Sequence, residues 1–171
     1  MSNAKPDPIP EGYGTVTPWI ATRDTARLLD FLKAAFDAVE LSRLEVDAGG
    51  EAGAVAIGHA EARIGTSIVM MFDSPFAVDT PALLRLYVAD ADSTFRRAAE
   101  AGATPVTEVT ELAFGDKVGR VRDPLGNVWW IQERVAELSP EEMGARFADP
   151  AFGAAMEYVQ TSLRDGLAKN A

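Results

Sequence analysis

His59 is the single histidine of the chain, and Glu61 stands two residues further along the same run. An imidazole titrates near neutrality, so His59 is a candidate general base, and Glu61 is a second candidate on the same strand face. Both also have the commoner role open to such residues. His59 can be a hydrogen-bonded or solvent-facing strand residue, and Glu61 can pair with Arg63 or Arg122. Arg120 and Arg122 flank Val121, so on a strand both guanidinium groups point the same way. That suits a carboxylate or phosphate, and equally a solvated face. Trp129 and Trp130 alternate faces, so one is expected in a core and the other on an open surface. There Trp130 is either a stacking platform or a plug. No Gly-rich phosphate loop, Ser-His-Asp arrangement or flavin signature accompanies them. The absence of cysteine removes disulfides, thiolate metal sites and cysteine nucleophiles.

The rest of the chain must position these groups. Its 171 residues suit one domain or two small fused modules, with 47% hydrophobic and 25% charged residues. The net charge of −10 is not interrupted by any Lys/Arg cluster, so nucleic acid and anionic membranes are not expected partners. No window approaches the roughly 18 apolar residues of a membrane span. Residues 1–10 are polar and Pro-rich without the apolar core of a signal peptide, so a cytoplasmic location is expected.

Residues 16–21 read as a strand, and Asp24 offers an N-cap. Leu28, Phe31, Leu32, Ala35 and Phe36 then recur at helical spacing. A strand at 39–46, a turn at Gly49-Gly50 and a hairpin of 54–63 with 66–72 around Gly65 follow. After a linker at 73–81 with two prolines the order repeats. A strand at 83–88 precedes a helix capped by Asp90, carrying Phe95, Ala98 and Ala99 and ended by Gly102. A strand at 104–112 and a hairpin of 118–122 with 128–133 complete the second set. In that hairpin Pro124 presets the turn and Gly126 can supply φ > 0. Asp24 and Asp90, like Gly65 and Gly126, mark equivalent points of an internal repeat. Ser139-Pro140-Glu141-Glu142 starts a tail helix, and Asp149-Pro150 starts another. Ala151, Ala154, Ala155, Tyr158, Val159 and Leu163 are expected along one side of the latter. With so little bulky surface it is expected to pack on the domain or on a second subunit, and in a homodimer on the partner or beside the interface.

Several words resemble the vicinal oxygen chelate superfamily (glyoxalase, bleomycin resistance protein and dioxygenase), and its PhnB-like branch most. They are Pro10-Glu11-Gly12-Tyr13, Val16-Thr17-Pro18-Trp19, His59-Ala60-Glu61-Ala62-Arg63-Ile64-Gly65 and Leu86-Tyr87-Val88. Gly115-Asp116, Arg122-Asp123-Pro124-Leu125-Gly126-Asn127 and Leu138-Ser139-Pro140-Glu141-Glu142 continue the series in the same order. The resemblance implies an α+β fold of two tandem β-α-β-β-β modules making a curved mixed sheet around a cup. The expected division is an extension at 1–14, a domain at 15–134 (modules 15–72 and 82–134 joined by 73–81) and a helical tail at 135–171.

In metal-dependent relatives each module supplies one ligand from its first strand and one from its last. The matching positions here are Thr17, Val69 or Met71, Leu83 and Trp130, with Arg85 and Gln132 two residues along. None is a metal-ligand type in a usable set, so no metal and no cofactor is expected. Glyoxalase I and extradiol dioxygenase activities are not expected either. The implied function is a metal-independent binder that sequesters an apolar or aromatic compound. Its expected ligand-binding wall is Thr17, Trp19, Val69, Met71, Leu83, Arg85, Arg120, Arg122, Trp130 and Gln132. One alternative is a lyase or isomerase using His59 or Glu61, or a displaced metal site. Another is a structural or regulatory dimer with a filled cup. A homodimer is expected in every case.

Overall fold

A computed structural model describes residues 7–49, 53–75 and 81–168. Gly50 of the expected turn and residues 76–80 of the expected linker lie outside the described residues. The order is β1 (Trp19–Thr22), α1 (Thr25–Phe36), β2 (Val39–Asp47), β3 (Val55–Ile64) and β4 (Ser67–Asp73). It repeats as β5 (Leu83–Tyr87), α2 (Ala91–Glu100), β6 (Thr104–Glu111), β7 (Asp116–Arg122) and β8 (Val128–Arg134). The tail forms α3 (Pro140–Ala148) and α4 (Pro150–Ala168). The chain divides into two compact units, Met1–Lys33 with Asp37–Thr80 and Ala34–Phe36 with Pro81–Ala171. Each holds one four-stranded mixed sheet, ordered β1-β4-β3-β2 and β5-β8-β7-β6. The first strand runs parallel to the last, and the other pairs are antiparallel.

In the first module Asp24 caps α1 by accepting the Arg27 N–H at 2.9 Å. Leu28, Leu29, Leu32 and Ala35 are fully buried on that helix. Ile20, Ala60, Ala62, Val69 and Met71 form the buried face of the sheet. Asp73 at the end of β4 binds helix to sheet, accepting the Thr25 N–H on one oxygen and the Ile57 N–H on the other, each at 2.7 Å. The second module repeats the device. Asp90 caps α2 through the Ser93 N–H, and Glu133 at the end of β8 accepts the Ala91 N–H at 2.8 Å. These equivalent brackets explain why the two helices start where they do.

The β7–β8 turn is built on one buried carboxylate. Asp123 is 3% exposed. Its Oδ1 accepts the Leu125 and Asn127 backbone N–H groups, and its Oδ2 accepts the Asn127 side-chain amide and the Trp129 indole N–H, all within 3.0 Å. Gly126 takes φ 100° to close the turn. Trp129 is thereby anchored on the face toward α2, and Trp130 on the opposite face.

Ser139 and Glu142 form the capping box that the sequence suggests. The helix α4 packs on β6 of its own chain, the domain surface that was one of the two expected for it. Val159 is its one fully buried residue, joined to Leu112 and Val118, with Phe114, Trp130, Ala155 and Met156 around them. A Cβ on Gly166 would lie 2.6 Å from a Val106 methyl, so the helix seats only because that residue is glycine.

Replacing Asp123 with Ala strands several buried donors at once. Urea denaturation of Asp123→Ala is expected to show a loss of about 2–4 kcal/mol, with Asp123→Asn intermediate. A loss within experimental error would mean that the turn is held by Pro124 and Gly126 alone.

Candidate functional site

Each sheet has one face toward its own helix and one away from it. On the first sheet the face away from α1 carries Trp19, His59, Glu61 and Met70. Trp19 pairs in register with Met70, and Met70 with Glu61. Trp19 is 64% exposed and its ring lies 5.1 Å from that of Phe72. The segment before β1 lies over this face. Gly12 approaches Ile68, and the Tyr13 hydroxyl donates to Glu61 Oε2 at 2.6 Å. A cavity of about 430 Å³ opens between segment and sheet, lined by Pro8, Ile9, Pro10, Tyr13, Gly14, Thr15, Thr17, Glu61 and Met70. That volume falls in the range of small-ligand pockets.

Glu61 is the only carboxylate in that lining among the described residues. Its other oxygen meets His59 Nε2 at 3.0 Å, completing a Tyr13–Glu61–His59 chain. The Tyr13 hydrogen bond, then those of His59 and Ser42, hold the Glu61 carboxyl below its ordinary value. The same bond to Glu61, followed by burial and the carboxylate charge, raises the Tyr13 phenol. Glu61 is therefore an ionised hydrogen-bond acceptor near neutral pH. As a base it is weakened, and in this geometry it orients His59.

The second sheet is different. Its face away from α2 carries Leu83, Arg85, Arg120, Trp130 and Gln132, and α4 covers part of it. Arg120 Nη1 donates to the Thr107 hydroxyl at 3.0 Å and to the Val159 carbonyl at 2.8 Å. Its guanidinium lies 4.4 Å over the Trp130 ring. Arg122 donates to the Gly126 carbonyl at 2.9 Å and, at the C-terminal end of α4, to the Gly166 carbonyl at 2.6 Å. Burial, then the neighbouring Arg85 charge, pushes the Arg120 guanidinium down to about 10, so it stays protonated at neutral pH. Gln132 is buried and donates to Asp116.

The expected ligand wall is therefore redistributed. Thr17 lines the cavity, and Trp19 is exposed on the same sheet face. Val69 and Met71 are corrected to the buried face, where they pair with Ala62 and Ala60. Residues directly opposite on neighbouring strands share a face, and Met70 takes the place assigned to them. Arg120 and Arg122 bond α4, Trp130 packs beneath it, and Leu83 and Arg85 remain exposed. Tyr13, which sequence reasoning treated only as part of a motif, completes the chain to Glu61. Nothing in local spacing links it to a strand 48 residues on.

A family model of the "Glyoxalase/Bleomycin resistance protein/Dioxygenase superfamily" matches residues 13–131. The chain belongs to this superfamily. Protein Mb0911c of Mycobacterium bovis is 34% identical over 150 residues, covering 81% of this chain and 95% of that one. Rv0887c of Mycobacterium tuberculosis is 34% identical, with 81% and 85% covered. Among solved structures, TioX from Micromonospora sp. ML1 is similar at 26% identity and a TM-score of 0.54, covering 74% of this chain and all of that one. A PhnB protein from Bacillus cereus, at 17% identity and a TM-score of 0.54, shares the fold over 70% of this chain and 99% of its own.

Metal-dependent members of the superfamily need a set of imidazole and carboxylate donors on their first and last strands. Here those strands present Trp19 and Met70 in the first module, with Thr17 just before β1, and Leu83, Arg85, Trp130 and Gln132 in the second. Hydroxyl, indole, thioether and guanidinium groups do not fit such a cation. Among the described residues Asp90, Asp92 and Glu133 do converge, at the N-terminus of α2. All three already serve the fold. Asp90 caps the helix, Asp92 pairs with Lys117 at 2.7 Å, and Glu133 accepts the Ala91 N–H.

Glu61 has a folded-state pKa below its unfolded value of about 4.3. Its contribution to stability is complete above that value and lost as pH falls through the lowered folded one. Melting temperature followed across this acidic window is expected to fall more steeply in the wild type than in Glu61→Gln. Parallel curves would mean that the Tyr13–Glu61–His59 chain does not form in solution.

Proposed function

We propose that the protein is a metal-independent small-molecule binder whose ligand occupies the cavity over the first sheet. The observation that carries this reading is the cavity itself: proline, isoleucine and methionine walls around one ionised, hydrogen-bonded carboxylate. Apolar walls supply burial, and the Thr15, Thr17 and Glu61 groups supply orientation. An apolar or aromatic compound with a hydrogen-bond donor fits that lining, and Tyr13 offers it an aromatic surface. Similarity to TioX and to a PhnB protein supports placing the chain among the superfamily's small-molecule proteins, in its PhnB-like branch.

A second reading has its own observation. Glu61 holding His59 is the arrangement of an oriented general base, which suits a lyase or isomerase. The fate of the ligand separates the two. A bound compound recovered unchanged by mass spectrometry supports the binder. Conversion that disappears in His59→Gln supports the enzyme.

Ligand binding is expected to change the fluorescence of Trp19, which adjoins Met70, and not that of Trp130 beneath α4. With an aromatic-compound panel in the presence of a chelator, Trp19→Phe should remove the signal and Trp130→Phe should keep it. No response in fluorescence or melting temperature across the panel would remove the proposal.

We also propose that the protein is a cytoplasmic homodimer. No helix among the described residues is long and apolar enough to cross a membrane. The outer strand β2 leaves Leu41, Leu44 and Val46 exposed, an edge that a second copy could cover. Light scattering at micromolar concentration should give a dimer, shifted toward monomer by Leu44→Lys. A monomeric wild type would refute this part.

A further inference from the structure

One transverse row crosses the second sheet on the face away from α2. Arg85 of β5 is in register with Trp130 of β8, Trp130 with Arg120 of β7, and Arg120 with Thr107 of β6. Arg120 is 6% exposed, yet the groups it meets are all neutral: a hydroxyl, a helix carbonyl and an indole face. Its Nε is buried without any hydrogen-bond partner. Arg85 stands on the other side of Trp130, exposed, and no carboxylate bonds either residue among the described ones. A buried cation is ordinarily paired with an anion, because neutral acceptors repay only part of its lost hydration. Two guanidinium groups flanking Trp130, neither bonded to a carboxylate among the described residues and each feeling the other's charge, make an electrostatic vacancy of one sign.

The occupant of that vacancy is a weak one. The Val159 carbonyl lies inside α4, where the helix's own hydrogen bonding already claims it, and the Ser162 hydroxyl bonds it at 3.3 Å. Little apolar burial holds the helix: one fully buried side chain and a close seat at Gly166, with polar bonds at Tyr158, Ser162 and Gly166 beside them. An oxyanion would offer Arg120 charge-assisted bonds in place of a shared carbonyl, and would lie within reach of the exposed Arg85.

We propose that Arg85 and Arg120 form a binding site for an oxyanion, the carboxylate or phosphate group of a small molecule, and that the Val159 carbonyl of α4 is the acceptor this anion displaces. The site is built from residues of the second module, none of which lines the cavity over the first sheet. Loosening α4 must strengthen anion binding, and removing Arg85 must weaken it.

The test is calorimetric titration of the full chain at constant ionic strength, with inorganic phosphate, benzoate and neutral benzamide as probes. The wild type is expected to bind one or both anions saturably and to ignore benzamide. Phosphate alone would identify a phosphate group, and benzoate alone a carboxylate. Gly166→Leu, which drives a side chain into Val106, and Val159→Ala, which removes the one buried anchor, are each expected to tighten binding about tenfold. Arg85→Gln, at an exposed position, should weaken it about tenfold with an unchanged melting temperature. Equal affinity in the wild type and a folded loosened variant would overturn the competition. Binding unaffected by Arg85→Gln, or no saturable anion binding in any folded variant, would overturn the site.

Discussion

The buried carboxylate of Asp123 is the constraint on which the second module rests. It collects hydrogen bonds from Leu125, Asn127 and Trp129, and so fixes both the turn and the start of β8. Register follows from the turn. Because side chains alternate with a period of two, a slip of one residue would exchange Trp129 for Trp130 across the sheet. The indole N–H of Trp129 reaches Asp123 Oδ2 only in the observed register, so the carboxylate selects which tryptophan enters the core. Once that choice is made, Arg120 stands opposite Trp130, and the cationic row is a consequence.

The two modules share a plan and differ in what covers the face away from their helices. In the first, the covering is an irregular segment joined to the sheet through Tyr13 and Glu61, with a cavity left between them. In the second, it is the regular helix α4, which brings Val159 into an apolar cluster and backbone carbonyls onto Arg120 and Arg122. A loop of prolines and glycines packs poorly against a flat sheet, whereas a helix with small residues packs closely. The difference in cover, more than any difference in strand sequence, gives the first module an open pocket and leaves the second face half covered, with β7 beneath α4 and β5 exposed.

Much of the architecture was legible in the chain. Asp24 and Asp90 as N-caps, the turn glycines at 65 and 126, and the Ser139 capping box are local signals, and each local structure formed as its residue types dictate. The face of β4 was assigned incorrectly from the family's ligand positions. The alternation of β3, with Ala60 and Ala62 on the buried side, already required Val69 and Met71 to share that side once paired. The contact of Tyr13 with Glu61 and the docking of α4 on β6 were not legible. Both join residues far apart in sequence, and neither carries a periodic pattern that would announce a partner. The tail's weak amphipathic stripe showed that it needed a surface without showing which one.

The placement of α4 also explains its composition. A helix built on Ala151, Gly153, Ala154, Ala155 and Gly166 gains little from the hydrophobic effect, and its glycines give up propensity that its alanines supply. Small residues instead let its backbone come close enough for carbonyl groups to reach arginine side chains rising from the sheet. Gly166 allows the last turn to approach Val106, and there the negative end of the helix dipole meets Arg122. Polar contacts made through backbone at close range thus replace much of the apolar burial that the helix lacks. The same exchange leaves Arg120 buried against neutral groups, because helix backbone can present carbonyl oxygens but not a full negative charge.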